Sequence, residues 1–286
     1  MGMTELKLEG VHHISCITAD ATANVEFYAG VMGMRLVKKT VNQDDPSVYH
    51  LFFGDEKGSP GFDLTFFEYP GARKGRAGAG MVHRILWRVA SGDALDFWKK
   101  RLADNSIETE RTPDGLLFAD PEGLHHELLV YGGTDERLVP GHIEVPPEFA
   151  LQGLHGARAY SASPQVTAQV LEEIRGFTPS EPGEWVLEGD QRSGVYYPDT
   201  SPEERGIPSA GTVHHIACAS TLEQHDDRQR RVTEAGLHAP LLSDRFYHRD
   251  HYYRERGGVL FESPTIGPGR ASADEPEHLG ECPSRP

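Results

Sequence analysis

Cysteine is scarce. The 286-residue chain has three, Cys16, Cys218 and Cys282. They form neither a CxxC pair nor an even framework, which excludes a disulfide-stapled fold and a cysteine-rich zinc module and fits a reducing cytoplasm. Lysine is also sparse, so arginine supplies most of the cations. The 28 basic residues face 44 acidic ones, a formal net charge of −16. A surface of that sign repels nucleic acid and anionic membranes. No apolar run approaches the roughly 20 residues that span a bilayer. The opening MGMTELKLEG lacks the basic-then-apolar pattern of a secretory leader, and Leu6 stands where a myristoylation signal wants Ser or Thr. The expectation is a cytoplasmic protein that acts on a small molecule, with no nucleic-acid or membrane partner. Association into a homo-oligomer is compatible with all of this.

What is present is a folded composition, 37% hydrophobic and 25% charged, and an internal repeat. GVHHISCITAD at 10–20 resembles GTVHHIACAST at 211–221. Each reads as a short strand followed by a helix, TANVEFYAGVMGM in one case and LEQHDDRQRRVTEAGL in the other. Weaker copies begin at MVHRILWRVAS (81–91) and GLHGARAYSAS (153–163). The pattern predicts an α+β protein of four βαβββ modules, two per domain: residues 1–135 and 150–266. A linker rich in Gly, Pro and charge joins them, and a tail follows at 267–286.

The ends of the modules repeat as well. GLHHELL at 123–129 and GVLFESP at 258–264 both place Glu four residues after Gly within an apolar strand, and LTFFEYP at 64–70 ends similarly at Glu68. A carboxylate is costly to bury unless paired or bound to a cation. That cost suggests a metal. Each module also starts with a strand histidine: His13, His83, His155 and His215. A lone strand histidine is ordinarily a hydrogen-bonded core or surface residue. The doublets His12–His13 and His214–His215 are less easily dismissed, because they occupy the same module position. Successive strand side chains point to opposite faces, so only one member of each doublet can face a given cavity. The residues alone leave the choice open. His83, Glu127 and His155 form a conceivable second set, read here as vestigial because HRILW and HGARA lack the doublet.

These segments resemble the vicinal oxygen chelate superfamily, which includes glyoxalase I, bleomycin-resistance proteins and type I extradiol dioxygenases. The closer likeness is to ring-cleaving dioxygenases of the hydroquinone and chlorohydroquinone type. GVHHIS, YHLFFGDEKGSPGFDLTFFEYP (49–70), VHHIACAS (213–220), DRFYHRDHYYRERGGVLFE (244–262) and DEPEHLGE carry it across essentially the whole chain. The resemblance implies two tandem glyoxalase-like domains whose first and last modules face each other. It implies His13, His215 and Glu262 as metal ligands, the facial triad of non-haem Fe(II) oxygenases; Mn(II) accepts similar ligands. It further implies roles for Tyr252, as a hydrogen-bond partner of a bound phenolate, and for Arg245, as a stabiliser of developing negative charge. His12 and His214 are candidates for orienting the ligands or for acid–base work. Ser15 and His248 are further polar contacts. The implied substrates are a hydroquinone-like or catechol-like aromatic diol and O2.

Two alternatives stand beside this reading. One is a glyoxalase-type lyase or isomerase with four protein ligands, for which Glu68 would be the fourth. The other is a metal-free binding protein of the bleomycin-resistance sort.

Overall fold

Runs of β-branched and aromatic residues build sixteen strands, described here from a computed structural model covering residues 8–41, 48–237, 241–245 and 248–265, without the side chains of 222, 225, 241–245 and 248–251. The first module comprises β1 (Val11–Thr18), α1 (Ala21–Val25), β2 (Arg35–Val41), β3 (Tyr49–Gly54) and β4 (Asp63–Glu68). The second comprises β5 (Met81–Val89), α2 (Gly92–Asp104), β6 (Thr109–Arg111), β7 (Gly115–Ala119) and β8 (His125–Val130). The third comprises β9 (Leu154–Ser161), α3 (Pro164–Val170), β10 (Thr178–Pro179), β11 (Trp185–Glu188) and β12 (Ser193–Thr200). The fourth comprises β13 (Thr212–Cys218), α4 (His225–Glu234), β14 (Leu241–Arg245), β15 (His248–Arg254) and β16 (Leu260–Pro264). The expected βαβββ order therefore holds four times. The tail at 267–286 lies outside the described residues.

Local chemistry sets the helix starts. The Asp20 side chain accepts from the backbone N–H groups of Thr22 and Ala23, and Ser91 accepts from that of Ala94. Helix α2 buries Ala94, Leu95, Trp98 and Leu102 as one stripe. The helix expected from Thr22 onward is regular only to Val25. It then widens into a π-helical turn, Glu26–Val31, closed by Met32 N–H donating to the Phe27 carbonyl at 2.9 Å. Phe27 and Tyr28, within that turn, are both buried.

Strand pairing crosses the two halves of the chain. One eight-stranded sheet runs β14-β15-β16-β13-β1-β4-β3-β2 and joins the first module to the fourth. The other runs β10-β11-β12-β9-β5-β8-β7-β6 and joins the second to the third. β1 lies antiparallel to β13, which brings residues 202 positions apart, His13 and His215, to neighbouring places. Within each module the first strand is parallel to the last.

A buried polar network ties the first module to the second. Trp87 Nε1 donates to His126 Nδ1 at 3.1 Å, so the imidazole proton sits on Nε2, 2.9 Å from the Tyr28 hydroxyl. That hydroxyl donates to Asp120 at 2.9 Å. Burial pushes the Asp120 carboxyl up to about 6 and the His126 imidazole down to about 3. The His125–His126 doublet is thus half spent on the core. Among the described residues no helix is long and apolar enough to cross a membrane.

Candidate metal centre

β1, β13 and β16 deliver His13, His215 and Glu262 to one point. His13 Nε2 lies 2.9 Å from Glu262 Oε2 and 3.2 Å from His215 Nε2, and His215 Nε2 lies 2.7 Å from Glu262 Oε2. All three residues are buried. Among the described residues they are the one group of three or more His, Cys, Asp or Glu side chains placed to hold an ion. Burial pushes the Glu262 carboxyl up, but the adjacent His13 and His215 outweigh it and hold the group well below the usual carboxylate range.

The arrangement fits a metal on two counts. Glu262 Oε1 is buried with no hydrogen-bond partner, an expensive state unless a cation neutralises the carboxylate. The three separations also match neighbouring ligands, since two donors at right angles and about 2.1 Å from an ion lie about 3 Å apart. A third feature concerns proton placement. His12 Nδ1 lies 3.0 Å from His13 Nδ1, and His214 Nδ1 lies 2.8 Å from His215 Nδ1. With the inner Nδ1–H groups donating to their outer neighbours, both inner Nε2 atoms present lone pairs to the same point. Such outer partners orient metal-binding histidines.

Tyr252 pairs directly across from Glu262 in β15, and its half-buried ring stands edge-on to His215 with centroids 5.4 Å apart. It therefore borders the centre. Arg245 ends β14 and His248 begins β15, but their side chains lie outside the described residues. A small cavity beside His215 is lined by Ile17, Val213, Leu260 and Met81, with Arg254 among its polar lining.

The strand registers correct two alignments made from sequence. In the fourth module the residue two beyond His215, Ala217, pairs with Glu262. In the first module the residue two beyond His13, Ser15, pairs with Thr65, not Glu68. Thr65, not Glu68, is the counterpart of Glu262. Sequence spacing contained this signal: Thr65 follows Gly61 by four residues, just as Glu262 follows Gly258. Glu68 instead accepts the Ala21 backbone N–H at 2.9 Å, at the start of α1. Glu68→Gln should cost about 1 kcal/mol of stability or less and leave metal content unchanged; loss of metal in that variant would restore it as a ligand.

The second correction concerns the other sheet. Applying the same offset, the counterparts of His13 and His215 are Arg84 and Gly156, and those of Thr65 and Glu262 are Glu127 and Tyr197. His83 and His155 match the outer histidines, not the inner ones. Arg84 Nη1 donates to Glu127 at 2.9 Å, so a guanidinium meets the carboxylate in place of an ion. His83 Nε2 donates to Asp199 at 2.8 Å and its ring stacks on Tyr160, while His155 Nδ1 accepts from Arg88 Nε at 3.3 Å. Burial lowers both imidazoles, His155 to about 3. His83, Glu127 and His155 do not converge.

Comparisons with known proteins identify the family. The model of the Glyoxalase/Bleomycin resistance protein/Dioxygenase superfamily matches residues 10–128. "Putative ring-cleaving dioxygenase MhqO" of Bacillus subtilis is 40% identical over 283 residues, 96% of this chain and 90% of that protein. Chlorohydroquinone/hydroquinone 1,2-dioxygenase of Sphingobium indicum is 29% identical over 303 residues, 96% of this chain and 90% of that protein. A solved "putative dioxygenase" from Bacillus subtilis superposes with a TM-score of 0.90 at 38% identity, covering 98% of this chain and 93% of the other. Glyoxalase I from Zea mays shares the fold, with a TM-score of 0.62 at 14% identity and coverage of 90% and 92%. Four βαβββ modules, a cross-half sheet carrying the His–His–Glu cluster and these likenesses together establish that the chain belongs to the glyoxalase/bleomycin resistance/dioxygenase superfamily.

Proposed function

We propose that the protein is an Fe(II)-dependent, extradiol-type ring-cleaving dioxygenase acting on a hydroquinone-like or catechol-like aromatic, with both atoms of O2 entering the product. The observation that carries this is the three-membered ligand set. His13, His215 and Glu262 converge, and the first-module counterpart of Glu262, where a fourth ligand would stand, is Thr65. A four-ligand lyase site would need a carboxylate or imidazole there. A metal-free binding protein would have no use for a buried glutamate with an unpartnered oxygen.

His13, His215 and Glu262 would hold the ion, leaving roughly one net positive charge by formal counting, which favours a phenolate over a phenol. Iron on such a face supplies an electron path between an electron-rich ring and O2. The protein's own residues do the rest. His12 and His214 keep the inner imidazoles oriented. Tyr252, which pairs across from Glu262, would donate a hydrogen bond to an oxygen of the bound substrate. Arg245, from its place on β14 next to β15, is assigned to stabilise negative charge that develops as the ring opens. Mn(II) is the alternative metal, and reconstitution with each ion compares them.

The test is anaerobic reconstitution with Fe(II), addition of hydroquinone or catechol, and then admission of O2. About one O2 consumed per ring opened is the expected result. Turnover of a hemithioacetal with no oxygen uptake from any diphenol would establish the lyase instead.

A further inference from the structure

The third module, like the first, ends its helix in a π-helical turn. Helix α3 widens into Leu171–Arg175, as α1 widens into Glu26–Val31. A left-handed glycine follows each turn, Gly33 at φ 67° and Gly176 at φ 77°. The N–H just past that glycine donates to the carbonyl six residues back, Met34 to Tyr28 at 3.0 Å and Phe177 to Leu171 at 2.9 Å. Met32 and Arg175 therefore hold the same place, immediately before the glycine, and both are buried. The fold accepts an uncharged side chain there, yet the third module has an arginine.

That arginine is poorly paired. Its Nη1 donates to the Tyr253 hydroxyl at 2.6 Å, and its guanidinium lies over the Phe261 ring, 4.2 Å from the centroid. Nε and Nη2 are buried without a hydrogen-bond partner. A second buried arginine, Arg228, is close enough to feel its charge. Arginine stays ionised, and a buried charge without a counter-charge costs stability. Positions that break a local rule at such a cost are where function is expected.

The partners of Arg175 show which function. Tyr253 pairs with Phe261 across β15 and β16, and the next pair along is Tyr252 with Glu262. Successive strand side chains face opposite ways, so Arg175 grips the reverse side of the two strands that present Tyr252 and Glu262. A guanidinium laid on one ring and bonded to the oxygen of another fixes direction, which apolar burial alone does not. Metal–ligand distances hold to within about 0.2 Å, so a small slide of β16 would be felt at the centre.

We infer that Arg175 is a positioning residue: from the reverse face of β15 and β16 it sets where Glu262 and Tyr252 stand, so that the third module supports a centre built by the first and fourth. This rests on the reading of His13, His215 and Glu262 as metal ligands.

The experiment is titration of the wild type, Arg175→Met and Tyr253→Phe with Co(II), a redox-stable probe metal, with the melting temperature measured alongside. Arg175→Met installs the side chain that the first module has in this place. It should melt no lower than the wild type, because a buried charge without a counter-charge is removed. It should nevertheless bind Co(II) about tenfold more weakly, with the visible absorption of the bound ion shifted. Tyr253→Phe keeps the ring and removes only the oxygen, and should weaken binding by a smaller factor. Wild-type affinity and absorption in Arg175→Met would overturn the inference. If that variant melts lower or fails to fold, Tyr253→Phe decides: weaker binding at an unchanged melting temperature supports positioning, and wild-type affinity overturns it. A wild type that takes up no Co(II) would instead sink the ligand set itself, and the inference with it.

Discussion

Glu262→Gln should weaken metal binding by about 100-fold or more while leaving the fold intact. Losing even a group that merely orients a metal ligand costs 10–100-fold, and Glu262 is the only formal anion among the three converging side chains. Glutamine keeps the shape but supplies no charge, and its amide N–H groups would compete with the ion for the lone pairs of His13 and His215. The effect appears twice. Metal content after dialysis falls, and the thermal stabilisation by added metal disappears. At a metal concentration about 100 times Kd the wild type should gain about 2.7 kcal/mol, a rise in Tm of roughly 5 °C for a chain of this size. A Gln variant with wild-type metal content would show that the carboxylate is no ligand.

The second large effect lies in the other sheet. Gly156→Ala should destabilise the protein by about 3–5 kcal/mol. A Cβ at this position would lie 1.9 Å from the Val195 carbonyl oxygen and 2.7 Å from its carbonyl carbon. The obstacle is backbone, held in the β9–β12 ladder by pairing of Val195 with Gly156, so no rotamer change relieves it. The counterpart of Gly156 in the sheet that carries the His–His–Glu cluster is His215. At the position equivalent to His215 the second sheet therefore has no room for a side chain at all, whatever its identity. Arg84 supplies to Glu127 the positive charge that an ion would have brought. Denaturant unfolding measures the cost. The folded fraction should still bind one metal per chain, and wild-type stability in the Ala variant would mean that β9 and β12 are spaced more loosely than they stand here.

Much of this was legible in the chain. The strand–helix–strands repeat, the two doublets and the glutamates after glycine are local patterns, and local patterns follow from the spacing of apolar and turn residues. The helix at 22–34 was legible in place but not in kind, because a π turn depends on how Phe27 and Tyr28 pack, which periodicity does not report. Glu68 misled for a related reason. Its position inside LTFFE looks like that of Glu262, yet it lies three residues beyond Thr65, the residue in register with Glu262, and serves the start of α1 instead. The glycine spacing, Gly61 to Thr65, was the better guide.

By itself, then, the sequence determined the module, its fourfold use and the residue types available for a centre. Within each doublet both histidines were equivalent by every local criterion. The family resemblance favoured the second of each pair, and the tertiary structure gives the physical reason: the pairing of β1 with β13 brings His13 and His215 to Glu262, with His12 and His214 behind them. Only the tertiary structure decided that one sheet gathers a centre while the other closes on an ion pair. The reason is physical: a cluster able to hold a metal is a convergence of atoms within a few ångströms, and here those atoms come from positions up to 249 residues apart, brought together by sheet register rather than by any neighbour in sequence.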